Sequence, residues 1–186
     1  MINIIKRVLK RLFMYSVKRD INRIIRIRDR YQISNSKFSK FILKCCYLKL
    51  LHNNNGLIPI AVTIGKNLRL PHGISGIFIS AGTKIGDNCV IYQNVTIGSN
   101  TAKGSKRQGS PIIGNNVIIG TGAVIIGGVK IGNNVRIGAN TTVVQDIPDN
   151  CTVVSAAGVR IIPASSDRDN AFIPYKDWIK TKDESL

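Results

Sequence analysis

Thr83-Lys84-Ile85-Gly86-Asp87-Asn88-Cys89-Val90-Ile91-Tyr92-Gln93-Asn94-Val95-Thr96-Ile97-Gly98 says nearly the same thing every six residues, and Ile113-Gly114-Asn115-Asn116-Val117-Ile118-Ile119-Gly120 takes it up again. The aliphatic series is Ile64, Leu70, Ile79, Ile85, Ile91, Ile97, Ile113, Ile119, Ile125, Ile131, Ile137 and Val143. Glycine often follows a member of it. Two residues earlier stands a second apolar or small side chain: Cys89, Val95, Val117, Ala123, Val129 or Val135. A fixed short period marks one unit stacked on itself. Six fits neither a helical stripe nor one long strand, but it fits short strands joined by tight turns. Each aliphatic side chain then enters a central column, with glycine expected where the backbone bends. Three units close a triangular coil. The twelve-member series predicts four coils, roughly 20 Å of stacked strands at a spacing of about 4.8 Å.

Composition marks the edges of the repeat. All 17 glycines lie between Gly56 and Gly158. This divides the chain into a basic helical segment (1–55), a repeat domain (56–163) and a tail (164–186) expected to cap the last coil. The first segment holds 14 Lys and Arg against Asp20 and Asp29, so most of the chain's net +17 is concentrated there. It lacks glycine and proline, and Ile5, Leu9, Leu12 and Phe13 follow a helical stripe opposite Lys6, Arg7, Lys10 and Arg11. Charges interrupt every apolar run well before the ~20 residues a membrane span needs, and no signal-peptide pattern is present. Two readings stand for these helices: a solvated face on elements that cap the column or join copies, or an interfacial surface, residues 1–30, attracted to anionic lipid. Nucleic acid is not expected, because no recognition module accompanies the charge. Cys45, Cys46, Cys89 and Cys151 form neither a disulfide framework nor a metal-ligand pattern. Reduced thiols and a cytoplasmic chain, at the inner membrane face if the helices bind lipid, are the simplest expectation.

The count breaks twice, and chemistry is sought there. Between Leu70 and Ile79 nine residues replace six, and the detour contains His72. Between Ile97 and Ile113 ten extra residues include Lys103, Lys106 and Arg107. The stretches Ile64 to His72, Gly76 to Ile79 and Tyr92-Gln93-Asn94-Val95-Thr96-Ile97-Gly98 resemble the serine acetyltransferase branch of the hexapeptide-repeat acyltransferases. The resemblance covers about residues 57–163.

That resemblance implies a left-handed parallel β-helix, a homotrimer, and acetyl-CoA as donor without a metal. His72 falls on the family's catalytic histidine and would be the general base that takes the acceptor hydroxyl's proton. Lys103, Lys106 or Arg107 would meet CoA phosphates from a flap. Gly120, Thr121, Gly138 and Ala139 align with segments along the pantetheine arm, and Arg136 with a basic residue near the nucleotide. Gln93, Asn94 and Ser110 fall where acceptor contacts are expected. Three departures bear on the acceptor. Pro71 replaces the aspartate before the histidine, a second family aspartate falls near Leu57, and a second active-site histidine falls near Ser110. The loop Gly104-Ser105-Lys106-Arg107-Gln108-Gly109-Ser110-Pro111 resembles that of short enzymes that O-acetylate cell-surface glycans. A sugar hydroxyl is therefore the expected acceptor, with serine as the alternative and a non-catalytic scaffold as a second one. A γ-class carbonic anhydrase would need three metal-binding histidines, and the chain has two.

Overall fold

The computed structural model describes residues 24–53, 55–156 and 158–163. The apolar stripe from Ile5 to Phe13 and the tail 164–186 lie outside the described residues. Two helices, α1 (24–33) and α2 (Lys37–Asn53), precede thirteen short strands. Ser36 starts α2, its hydroxyl accepting the Ser39 N–H at 3.3 Å.

The strands form three faces of a prism. The first holds β2 (Phe78–Ile79), β5 (Thr96–Gly98), β8 (Val124–Ile126) and β11 (Thr142–Val143). The second holds β1 (Thr63–Ile64), β3 (Lys84–Ile85), β6 (Ile112–Ile113) and β9 (Lys130–Ile131). The third holds β4 (Val90–Ile91), β7 (Ile118–Ile119), β10 (Arg136–Ile137), β12 (Cys151–Ala156) and β13 (Gly158–Pro163). All pairings are parallel except the last, in which β13 folds back antiparallel on β12 at the column's end. The prism is a left-handed parallel β-helix. Register sets like on like: Ile85 pairs with Ile113, Ile97 with Ile125, and Ile119 with Ile137. Isoleucine thus stacks directly on isoleucine. Burying each such side chain contributes about 1.5–3 kcal/mol.

Two expectations need correction. The column has five levels, not four. Ile58 opens it, since Leu57 bridges to Phe78, while Ile147 and Val153 close it. The top coil escaped the count because one of its sides is short: Ile147 follows Val143 by four residues, not six. Glycine, moreover, is not the general turn residue. The left-handed corner position belongs mostly to asparagine: Asn67, Asn88, Asn94, Asn116, Asn134, Asn140 and Asn150 have φ between 54° and 60°. A short amide side chain tolerates that region and bonds locally. Most glycines that follow an isoleucine of the series have another cause. At Gly114 an added Cβ would lie 2.7 Å from the carbonyl oxygen of Gly132, so the next coil leaves no room for a side chain.

The corner between the second and third faces is tied by a side-chain ladder. Asp87, Asn115, Asn133 and Asp149 accept the N–H of Lys66, Asp87, Asn115 and Asn133 at 2.7–2.9 Å. At the base, the two helices plug the open end. Tyr47 Oη donates to the Ile58 carbonyl at 2.7 Å, and the buried Arg28 guanidinium donates to the Val62 carbonyl. Burial pushes the Tyr47 hydroxyl up to about 12, with Arg28 acting in the opposite direction.

Candidate active site

The nine-residue detour leaves the third face after Leu70 and returns on the first face at Phe78. It opens as a turn in which Gly73 N–H donates to the Leu70 carbonyl at 3.1 Å. Pro71 occupies the second turn position, where its fixed φ is favourable, and Gly73 supplies φ = 80°. This accounts locally for proline beside the histidine. Ile74 and Ile77 are buried and anchor the detour, while His72 itself is exposed.

One coil further on, Gln93 lies against it. His72 Nδ1 and Gln93 Oε1 are 2.7 Å apart. An amide oxygen only accepts, so Nδ1 is the donor, and in the neutral ring the free lone pair is then on Nε2. Tyr92 meets the imidazole edge-on, with ring centroids 5.7 Å apart at 81°. The next coil then fixes Gln93. Thr121 Oγ1 and Gly122 N–H both donate to its carbonyl, at 3.0 and 3.1 Å. Orientation of the His72 imidazole thus comes from a neutral amide. Asn94 takes the left-handed corner beside Gly76, and its N–H donates to the Ser75 carbonyl.

The structure brings together His72, Gln93, Asn94 and Thr121 on one corner, with Gly120, Gly138 and Ala139 continuing it through the coils above. Thr121, expected along the cofactor, spends its hydroxyl on Gln93. Gly120 sits directly under the backbone of Gly138 and Ala139. Arg136 is on β10 of the third face.

Lys103, Lys106, Arg107 and Ser110 leave from a different corner, between the first and second faces. There Asn100 and Gly109 exchange backbone hydrogen bonds at 2.9 Å, closing the loop's neck. Inside it, Asn100 Nδ2 donates to Ser105 Oγ, and Gln108 Nε2 donates to the Ala102 carbonyl. Arg107 is paired with Asp146 at 2.9 Å, which competes with any phosphate for that guanidinium. The Lys130 N–H and the Arg107 charge hold Asp146 below the usual carboxylate range. Ser110 Oγ lies 2.6 Å from Ser99 Oγ. Lys103 and Lys106 are exposed. Cys89 is buried in the column, and burial raises its thiol's pKa. Among the described residues no three His, Cys, Asp or Glu side chains cluster as metal ligands.

The family model of the bacterial transferase hexapeptide (six repeats) matches residues 110–145, and that of the hexapeptide repeat of succinyl-transferase matches residues 61–99. A serine acetyltransferase of Synechococcus elongatus is 42% identical over 105 residues, 56% of this chain and 41% of that protein. One from Staphylococcus aureus is 46% identical over 95 residues, covering 51% and 43%. Over about half its length the chain is similar to serine acetyltransferases, and it carries the hexapeptide repeat. This hexapeptide-repeat protein spans about half the length of the curated relatives it matches. Among solved structures, Brucella abortus serine acetyltransferase in complex with coenzyme A superposes with a TM-score of 0.61 at 26% identity, covering 78% of this chain and 55% of that one. The Neisseria gonorrhoeae serine acetyltransferase gives 0.60 at 27%, covering 80% and 54%.

Should His72 serve as the base of an acyl transfer, the geometry makes Gln93 a testable orienting residue. Gln93→Ala removes one hydrogen bond, worth about 1–3 kcal/mol where it holds a reactive group, so turnover should fall about 5- to 150-fold. KM for the acyl donor should stay nearly constant. In Gln93→Glu the carboxylate favours imidazolium, so the acid limb of the pH–rate profile should move to higher pH. Unchanged turnover in Gln93→Ala together with an unmoved limb in Gln93→Glu would remove this role.

Proposed function

We propose that this chain is an acetyl-CoA-dependent O-acetyltransferase in which His72 is the general base. The observation that carries the reading is the exposed imidazole whose Nδ1 is tied to Gln93 at a bend of a hexapeptide-repeat column. Nε2 takes the proton of an acceptor hydroxyl while its oxygen attacks the thioester carbonyl. The tetrahedral intermediate then collapses, the C–S bond breaks, and the proton passes to the departing CoA thiolate. The family likeness and the relatives' names support acetyl-CoA as donor. Lys103 and Lys106 are the loop cations proposed to meet its phosphates. They leave a different corner from His72, so a neighbouring copy in a homotrimer would supply them.

For the acceptor, the names of the relatives favour serine over the glycan expected from the sequence, and serine is the reading we adopt. One observation favours the glycan as a second reading. Serine's ammonium calls for a carboxylate, and none of the described acids is on His72's corner. Asp29 pairs with Arg28, Asp87 and Asp149 belong to the ladder, and Asp146 pairs with Arg107. Labelled acetyl-CoA offered with free serine and, separately, with nucleotide sugars and glycans decides the matter. O-acetylserine is the expected product, label on sugar alone would transfer the assignment to the second reading, and label on neither would overturn the proposed reaction.

A further inference from the structure

Helix α2 is apolar on two opposite sides, and the column uses only one. Tyr47 and Leu51 are 1% and 2% exposed against the base of the prism. On the other side Phe38, Phe41, Cys45 and Leu48 recur at spacings of three and four, so they share one stripe, with Ile42 beside it. Phe38 is 75% exposed, Phe41 64%, Leu48 48% and Ile42 45%. A helix apolar on both sides is ordinarily covered on both. Large exposed side chains gathered on one face call for a partner.

The charges on the helix select that partner. α2 carries Lys37, Lys40, Lys44 and Lys49 and no acidic residue. Lys40 turns over the Tyr31 ring at 5.6 Å, whereas Lys37, Lys44 and Lys49 are exposed with the stripe. A second copy presenting the same face would bring lysine towards lysine. An anionic lipid surface complements both features, accepting aromatic and aliphatic side chains between headgroups while it attracts the ammonium groups. Among the described residues no helix is long and apolar enough to cross a membrane, so the contact is interfacial. We propose that the outward face of α2 is a docking surface for anionic lipid. This inference is independent of the acetyl-transfer reading, and it places the contact on α2, beyond the residues 1–30 for which sequence alone suggests lipid.

The test is co-sedimentation of the full chain with phosphatidylcholine vesicles, with and without about 30% phosphatidylglycerol, near physiological salt. The wild type should bind only the anionic vesicles. Phe38→Ser/Phe41→Ser/Leu48→Ser should reduce that binding at least about tenfold, as loss of three interfacial anchors implies, while the mass by light scattering is unchanged. Equal binding by the triple variant would overturn the proposal, as would an absence of wild-type binding. A fall in mass in the variant would also overturn it, since the face would then join copies. If the triple variant fails to fold, Phe41→Trp in a Trp178→Phe background decides: its emission should shift to the blue with anionic vesicles, and an unshifted spectrum counts against the proposal.

Discussion

His72→Ala should lower acetyl transfer by roughly 10²–10⁴-fold, the contribution of a positioned general base. Binding of CoA and the unfolding midpoint should stay close to wild type. The separation follows from where the ring sits. His72 is exposed, and among the described residues its side chain bonds to Gln93, so removing it opens no cavity and strands no buried group. Gln93 stays in place because its backbone is held by Thr121 and Gly122. Turnover, CoA titration and a thermal melt on the same preparation make the check. Near-normal turnover would eliminate His72 as base and favour the scaffold reading. A lower midpoint accompanying lost turnover would mean the histidine supports the detour instead.

Much of this site was legible because a period of six makes position calculable. A coil of three sides is eighteen residues. The three extra residues of the first detour put the neighbour of His72 twenty-one positions on, at Gln93, and the ten extra residues of the loop put the next neighbour twenty-eight beyond that, at Thr121. The sequence singled out both residues but assigned them to substrate and cofactor. Hydrogen bonding, which no spacing reveals, turns Gln93 towards the imidazole and Thr121 towards Gln93. The Arg107–Asp146 pair was hidden for another reason. Its partners are 39 residues apart and meet because both leave the same corner. The repeat sets corner membership, but the path of an irregular loop decides which side chains touch. The fifth coil escaped because its side from Val143 to Ile147 is two residues short, and a count kept strictly at six runs out there.

The glycines give the second large effect. Gly114→Ala should destabilise the fold by about 3 kcal/mol or more, at the upper end of what overpacking costs. The added carbon would meet the Gly132 carbonyl oxygen at 2.7 Å, its carbonyl carbon at 2.8 Å and Asn133 Oδ1 at 2.9 Å. These atoms cannot move aside easily. Gly114 N–H donates to Ile131 O, and Gly132 N–H to Ile147 O, so both coils are fixed at that height. A conformational explanation does not apply, since Gly114 is not among the glycines with positive φ. Asn140→Gly is the matched control. Asn140 does occupy the left-handed region, at φ = 54°, which glycine adopts freely. That change should stay within about 1 kcal/mol, mostly through greater freedom of the unfolded chain. Unfolding midpoints for the two variants under identical conditions separate the causes. If Gly114→Ala proves as mild as Asn140→Gly, the coils yield more easily than their hydrogen bonds imply, and glycine after isoleucine needs an explanation other than close stacking.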